Sequence, residues 1–356
     1  MDKTLFDLYS DFLLSSFGPV TATNLSRLLD GEISHDQVTR LLAGEPKRSV
    51  HLWQKVKPLV RAVESSDGVI VIDDSISEKP YTDENELICW HWSHAKKRSV
   101  KGLQFLTAFY QVGKVGLPVA FDLVTKTETY LDPKTGKEKR RSTISINERF
   151  RMLLRISVQN EIPFSYVLSD LWYASAENMK FIVRELQKHF VFPLKENRKV
   201  ALSEEDQKQG RFVAVDTLDL PAGHTRKIWL EDVPFALLLT KEVFINKDGS
   251  TGVRYLVTDD LTLTYDQIIE LYKRRWSVEV YHESLKQNAS LEKSPTRTET
   301  TQRNHFFASL CAYIKLESLK IRTGVNHFAL KSKIYLAALK AAYQELVKLE
   351  PLSLGA

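Results

Sequence analysis

Residues 68–75 read GVIVIDDS, a glycine and four β-branched apolar residues running straight into Asp73, Asp74 and Ser75. An apolar run without polar alternation predicts a strand covered on both faces, as in a mixed or parallel sheet between helices. A carboxylate at the tip of such a strand is costly unless something compensates it, and a divalent cation does so well. One such acid is commonplace, since it can open a turn or cap a helix. A second changes the weighing: 163–170 read PFSYVLSD, another buried strand ending in Asp170.

Between the two lie LQFLTAFYQ (103–111) and LPVAFDL (117–123), joined by VGKVG, which suits an antiparallel meander. Residues 145–160 and the stretch ASAENMKFIVRELQKH (174–189) read as helices. Strand ending in Asp, two strands, helix, strand ending in Asp, helix: that order predicts an α/β fold, a mixed sheet flanked by helices with acids at the carboxyl ends of adjacent strands. Residues 191–260 turn strand-rich again and read as an insertion, and 261–356 read as helical. The N-terminal 1–65 are helical too. Within them TNLSRLLDGEISHDQVTRLLAG (23–44) has a helix-turn-helix pattern, Ser34 capping a candidate recognition helix; a plain helical hairpin fits the same pattern. The expected segments are thus 1–65, a DNA-binding region; 66–190, the first part of the core; 191–260, the insertion; and 261–356, the second part with C-terminal helices.

The 356 residues are 43% hydrophobic and 27% charged, enough for a sizeable core. No apolar run reaches the ~20 residues of a membrane helix, and the first residues lack a signal pattern, so a cytoplasmic protein is expected. Cys89 and Cys311 are single and far apart, which argues against a disulfide framework or thiolate zinc site. The formal charge of +5 says little, but basic clusters recur at Lys96–Arg98 with Lys101, at 137–141, at Lys273–Arg275, and at Lys293 with Arg297. His91 and His94, in CWHWSH, resemble a ligand pair without a third partner; a polar segment beside a DNA channel is the favoured reading.

The third acid lies in LTYDQIIELYKRRWSVEVYHESLK (263–286), where no Gly or Pro breaks a helix capped by Thr264 or Asp266. Tyr272, Arg275, Glu279 and Lys286 are spaced by three, four and seven residues, which places them on one helical stripe. A phenol, a guanidinium, a carboxylate and an ammonium do not make a core face, although a surface ladder of ion pairs would share the spacing. Three acids from two strand tips and one helix suit magnesium or manganese, which prefer carboxylate oxygens. Two such ions serve both ends of an in-line phosphodiester displacement.

Tyr272-x2-Arg275-x3-Glu279-x6-Lys286 resembles the YREK signature of DDE transposases of the IS-four insertion-sequence group. IDDS (72–75) and LSDLWYAS (168–175) resemble that group's first-Asp and second-Asp strands, and the likeness covers about residues 65–315. It implies an RNase-H-like core in which Asp73, Asp170 and Glu279 are catalytic and bind two Mg2+ or Mn2+ ions. Tyr272, Arg275 and Lys286 would contact DNA. The implied activity is cut-and-paste transposition: cleavage at transposon ends, then strand transfer into target DNA. The implied partners are double-stranded DNA and a second copy in a DNA-bound homodimer, with no membrane. Asp73 is preferred to Asp74 because the group places its ligand two residues before Ser or Thr. Trp229 is a candidate base-stacking platform, or else a buried aromatic of the strand-rich block. A two-metal nuclease or resolvase without strand transfer, and an inactive transposase-derived DNA-binding protein, remain alternatives.

Overall fold

A computed structural model describes residues 4–94, 96–246 and 248–349. The outermost ends of the expected 1–65 and 261–356 segments lie outside them. Four helices come first: α1 (Leu5–Ser15), α2 (Ala22–Leu28), α3 (His35–Ala43) and α4 (Ser49–Val63). Next come β1 (Val69–Glu78), β2 (Ile88–Ser93), β3 (Arg98–Val112), β4 (Val115–Leu123), β5 (Glu128–Leu131), β6 (Glu138–Arg141), α5 (Ile146–Gln159) and β7 (Tyr166–Ser169). The chain continues through α6 (Ala176–Lys180), β8 (His189–Leu194), β9 (Lys199–Ala201), α7 (Glu204–Lys208), β10 (Val213–Ala214), β11 (Thr225–Leu230), β12 (Leu237–Ile245) and β13 (Thr251–Thr258). It closes with α8 (Tyr265–Lys273), α9 (Trp276–Gln287), α10 (Glu299–Thr323) and α11 (His327–Leu349). None of the described helices is long and apolar enough to cross a membrane.

The chain forms two compact units, one of residues 56–75 and 104–280, the other of residues 1–55, 76–103 and 281–356. The first is built on a mixed sheet with strand order β10-β9-β11-β12-β13-β8-β7-β1-β3, and β4 pairs with β3 as well. At its centre β1, β7 and β8 are parallel, with Ile72 opposite Ser169 and Leu168 opposite Val191. Val69–Ile72 are fully buried, as the unbroken apolar run requires. Helix α5 starts at a capping box between Ser145 and Glu148 and packs on β4, and its Arg149 reaches Asp122. Phe150 stacks on Tyr173 with ring centroids 5.1 Å apart. This is the expected α/β class, a mixed sheet flanked by helices and consistent with the RNase-H-like fold.

The strand-rich block does not make a sheet of its own. Strands β8 to β13 extend the sheet of β1 and β7, because β8 (HFVFPL) pairs with β7 on one side and β13 on the other. Strand β8 begins at His189, two residues before the strand-rich block expected from 191. The basic cluster at 137–141 falls largely on a strand: β6 (Glu138–Arg141) pairs with β5 in a hairpin, in which Arg141 pairs with Glu128. The helix expected over 174–189 is shorter: α6 ends at Lys180 and gives way to wider π-type turns through Glu185.

In the second unit α1 packs on α10, and α2 and α3 pack together. Ser34 caps α3 in a capping box with Gln37, and Val38 and Leu42 point inward. Asn304 of α10 closes the end of α3, its amide donating to the carbonyls of Leu42 and Gly44. Strand β2 pairs antiparallel with residues 98–103 of β3.

Candidate functional site

Because β1 and β7 run parallel with Ile72 opposite Ser169, the next residue on each is an acid, Asp73 beside Asp170. Neighbouring strands lie ~4.8 Å apart, so two carboxyl groups are forced into one small region. Asp170 then ends its strand by accepting from Trp172 N–H at 2.9 Å, which caps a short 3₁₀ turn. Burial, and then the charges of Asp74 and Asp170, push the Asp73 carboxyl well above the ordinary carboxylate range. Arg275 opposes that shift.

Asp74 is held elsewhere. Its carboxylate accepts from Tyr173 Oη at 2.7 Å and from Gln104 Nε2 at 2.7 Å. Burial raises the Tyr173 phenol well above its usual range, with Asp74 adding to the effect. Sequence reading gave no sign of Gln104. Tyr173 lies within LSDLWYAS (168–175), where the local pattern assigns it no role.

The helix expected across 263–286 is interrupted. α8 ends at Lys273 and α9 begins at Trp276; between them Arg274 N–H bonds Leu271 O and Arg275 N–H bonds Tyr272 O, a tighter i−3 pattern. The break separates the two arginines. Arg274 clamps Gln111, donating to its carbonyl at 2.9 Å. Arg275 donates to Glu279 Oε1 at 2.7 Å and lies 5.6 Å from the Tyr272 ring centroid. Burial works against the Arg275 charge, yet Tyr272, Glu279 and Asp73 together hold its pKa above the usual value. Arg254 covers the same ring at 4.7 Å. An open cavity of 650 Å³ starts at Asp170 and is lined by Lys195, Arg254, Tyr272 and Arg275 among others.

The structure therefore brings Asp73, Asp170, Tyr272, Arg275 and Glu279 together in one unit, with Glu279 turned toward Arg275. Lys286 belongs to the other unit, where its ammonium donates to Ile76 O at 2.9 Å; burial lowers its pKa, opposed by Glu292 and Glu78. Among the described residues no three His, Cys, Asp or Glu side chains lie close enough to hold a metal ion by themselves. The donor set at Asp73 and Asp170 nevertheless fits a divalent cation, since like charges raise the cost of ionising Asp73 and a cation would relieve it.

Other candidates fall outside the site. Trp229 lies half-buried on β11 with Lys227 Nζ 5.1 Å from its ring. His91 is buried against Cys89 while His94 is exposed against Trp92, so the two histidines do not form a pair of ligands. His282 is buried, which pushes its pKa down to about 3.

Residues 3–211 match a family described as DDE superfamily endonuclease, and residues 143–315 match one described as Transposase DDE domain. No curated protein matches the chain.

Proposed function

Since the chain belongs to the DDE superfamily of endonucleases, we propose that it acts as a transposase, cutting DNA at transposon ends and joining the freed end to target DNA. The observation that carries the reading is the juxtaposition of Asp73 and Asp170 at the tips of two adjacent parallel strands, with Arg275 linking them electrostatically to Glu279. In this reading Asp73, Asp170 and Glu279 hold two Mg2+ or Mn2+ ions. Bound there, the ions supply Lewis acidity for a water or 3′-hydroxyl nucleophile and for the departing oxygen.

The remaining work falls to the chain's own groups. Tyr173 and Gln104 fix Asp74, and through it the tip of β1, so Asp73 keeps one orientation. Arg275 neutralises part of the carboxylate charge that would repel a phosphate. With Tyr272 beneath it, the guanidinium is held as a rigid donor for a phosphate oxygen. Arg254 and Lys195 extend that positive lining along the cavity. Lys286 is proposed as a separate phosphate contact, and a DNA-bound homodimer is proposed because two ends must be brought together.

The test is cleavage and joining of DNA carrying the cognate inverted repeat, in magnesium or manganese. The expected result is that Asp170→Ala and Glu279→Ala each abolish both reactions. Retained cleavage by either variant would overturn the site. Cleavage by the wild type without joining would replace transposition with the nuclease or resolvase alternative.

A further inference from the structure

Four of the six tryptophans stand more than half exposed, and two of them, Trp90 at 53% and Trp92 at 56%, share one strand. Tryptophan is highly buried on average, so a pair of exposed rings needs a reason. In β2 the side chains alternate from Cys89 onward: Cys89 and His91 are buried, and Trp90 and Trp92 project from the outer face. The strand is also an edge strand: β2 ends the strand order, and among the described residues its one strand partner is β3. Exposed apolar edges invite unwanted pairing, and edges are normally blunted rather than decorated with aromatic rings.

The surroundings of this face are cationic. Lys101 is the cross-strand partner of Trp90 and Ser99 that of Trp92, so Lys101 shares their face, while Arg98, opposite Ser93, begins β3 on the alternate face beside the turn. Lys97 occupies a left-handed position in the connecting turn, φ 50°. Lys96 is matched by Glu78 at 2.6 Å. Among the described residues no acid lies within ion-pair distance of Lys97, Arg98 or Lys101. Two flat rings with Lys101 on their own face, and with Lys97 and Arg98 at the adjoining turn, have the chemistry of a surface for a polyanion with aromatic bases.

The spacing identifies the state of the strand that fits. Residues two apart on a strand stand ~6.8 Å apart, about twice the 3.4 Å rise per nucleotide of a duplex strand. Bases in a duplex cannot lie on both rings at once, whereas bases pulled out of the stack can. We propose that the outer face of β2 is a stacking platform for unpaired bases of a DNA strand, with Lys97, Arg98 and Lys101 holding its phosphates. The proposal rests on the chain's acting on DNA, and it adds a strand-binding surface built from residues separate from the three acids.

The experiment measures binding of the full-length chain to oligothymidylate of about 16 nucleotides, the upper end of site sizes for such surfaces. EDTA keeps cleavage out of the measurement. Wild-type tryptophan emission is expected to be quenched on binding. The double variant Trp90→Leu with Trp92→Leu keeps apolar bulk but loses the flat rings, and is expected to bind about tenfold or more weakly. Trp90→Phe with Trp92→Phe should recover most of the affinity. Changing Lys97, Arg98 and Lys101 to Ala should reduce the slope of log affinity against log salt by about 2. A Leu double variant with unchanged circular dichroism and wild-type affinity would overturn the proposal; so would an affinity loss that the Phe variant fails to repair. Failure here with intact, acid-dependent cleavage would leave the transposase reading standing. Tryptophan-dependent strand binding without cleavage would do the reverse.

Discussion

Glu317 in the helical unit is a wholly buried carboxyl group and Asp73 in the sheet unit a half-buried one, and their surroundings are opposite. Glu317 is wholly buried on α10 between two basic side chains: Lys320 donates to one oxygen at 2.7 Å, and His327 Nε2 lies 2.8 Å from the other. His327 Nδ1 in turn meets Ser284 Oγ at 2.9 Å, and Asn288 donates to the same hydroxyl. Asp73 is set among Asp74 and Asp170, whose charges work against its own, opposed by Arg275 and by the Asp74 N–H that donates to its Oδ1 at 3.0 Å. A network like that of Glu317 holds helices together. An acid kept near like charges lowers stability on its own, and such an arrangement is expected where a ligand completes it.

The largest effect that would break this contrast is on cleavage. Asp73→Asn should reduce end cleavage more than about 100-fold, beyond what loss of a supporting contact usually costs. Asp74→Asn, which can still bond Tyr173 and Gln104, should cost about tenfold or less. Equal losses in the two variants, measured in the same nicking assay, would erase the distinction between the neighbouring acids.

Stability should show the reverse order. Glu317→Ala leaves Lys320 and His327 facing a cavity, and removing one member of a buried charged cluster typically costs about 3–5 kcal/mol. Asp73→Asn should leave the metal-free chain as stable as the wild type, or raise its stability by about 1 kcal/mol as the like-charge repulsion is removed. Urea unfolding in EDTA measures both. A large loss in Asp73→Asn would mean that this acid is structural after all.

The same contrast explains what the sequence showed and what it hid. β1 and β7 were legible because an unbroken apolar run ending in an acid has few other uses, and the caps at Ser34, Ser145 and Thr264 mark helix starts directly. β2 was hidden because its outward tryptophans and inward His91 blur the usual apolar-in, polar-out alternation. The break before α9 was hidden because it contains neither Gly nor Pro. It is maintained by Arg274 bonding Gln111, 163 residues away in the chain. The buried network at Glu317 joins residues from three helices, a tertiary arrangement that no local spacing encodes.

A smaller effect concerns acid sensitivity in the helical unit. His305 accepts Tyr9 O–H at Nδ1, 2.9 Å away, because its Nε2 faces the carbonyls of Ser290 and Leu291 and must carry the proton. Burial, helped by the charge of Lys79, pushes its pKa down to about 3. The folded value lies below the ordinary 6.5, so the neutral ring's contribution is complete above pH 6.5 and is lost as pH falls toward 3. At about 1.4 kcal/mol per pH unit, unfolding free energy should drop by about 2 kcal/mol between pH 6.5 and 5 through this residue. His305→Gln should flatten that part of the profile in urea unfolding at the two pH values. An unchanged slope would show that His305 is not the titrating group.

The smallest expected effect is the most discriminating for the site. The Arg275–Glu279 pair is an i,i+4 contact at one end of α9, with Arg275 15% and Glu279 36% exposed. Helix pairs of this kind contribute only about 0.3–0.5 kcal/mol, so Arg275→Lys should leave the unfolding midpoint almost unmoved. Lysine keeps the charge but loses the planar fork and its stacking on Tyr272, so it cannot hold a phosphate oxygen and Glu279 in the same fixed geometry. Cleavage should therefore fall at least tenfold at saturating DNA while stability stays within about 0.5 kcal/mol. If activity and stability fell together, Arg275 would be serving α9 as Lys320 serves Glu317, and the stripe would be a structural ladder of ion pairs.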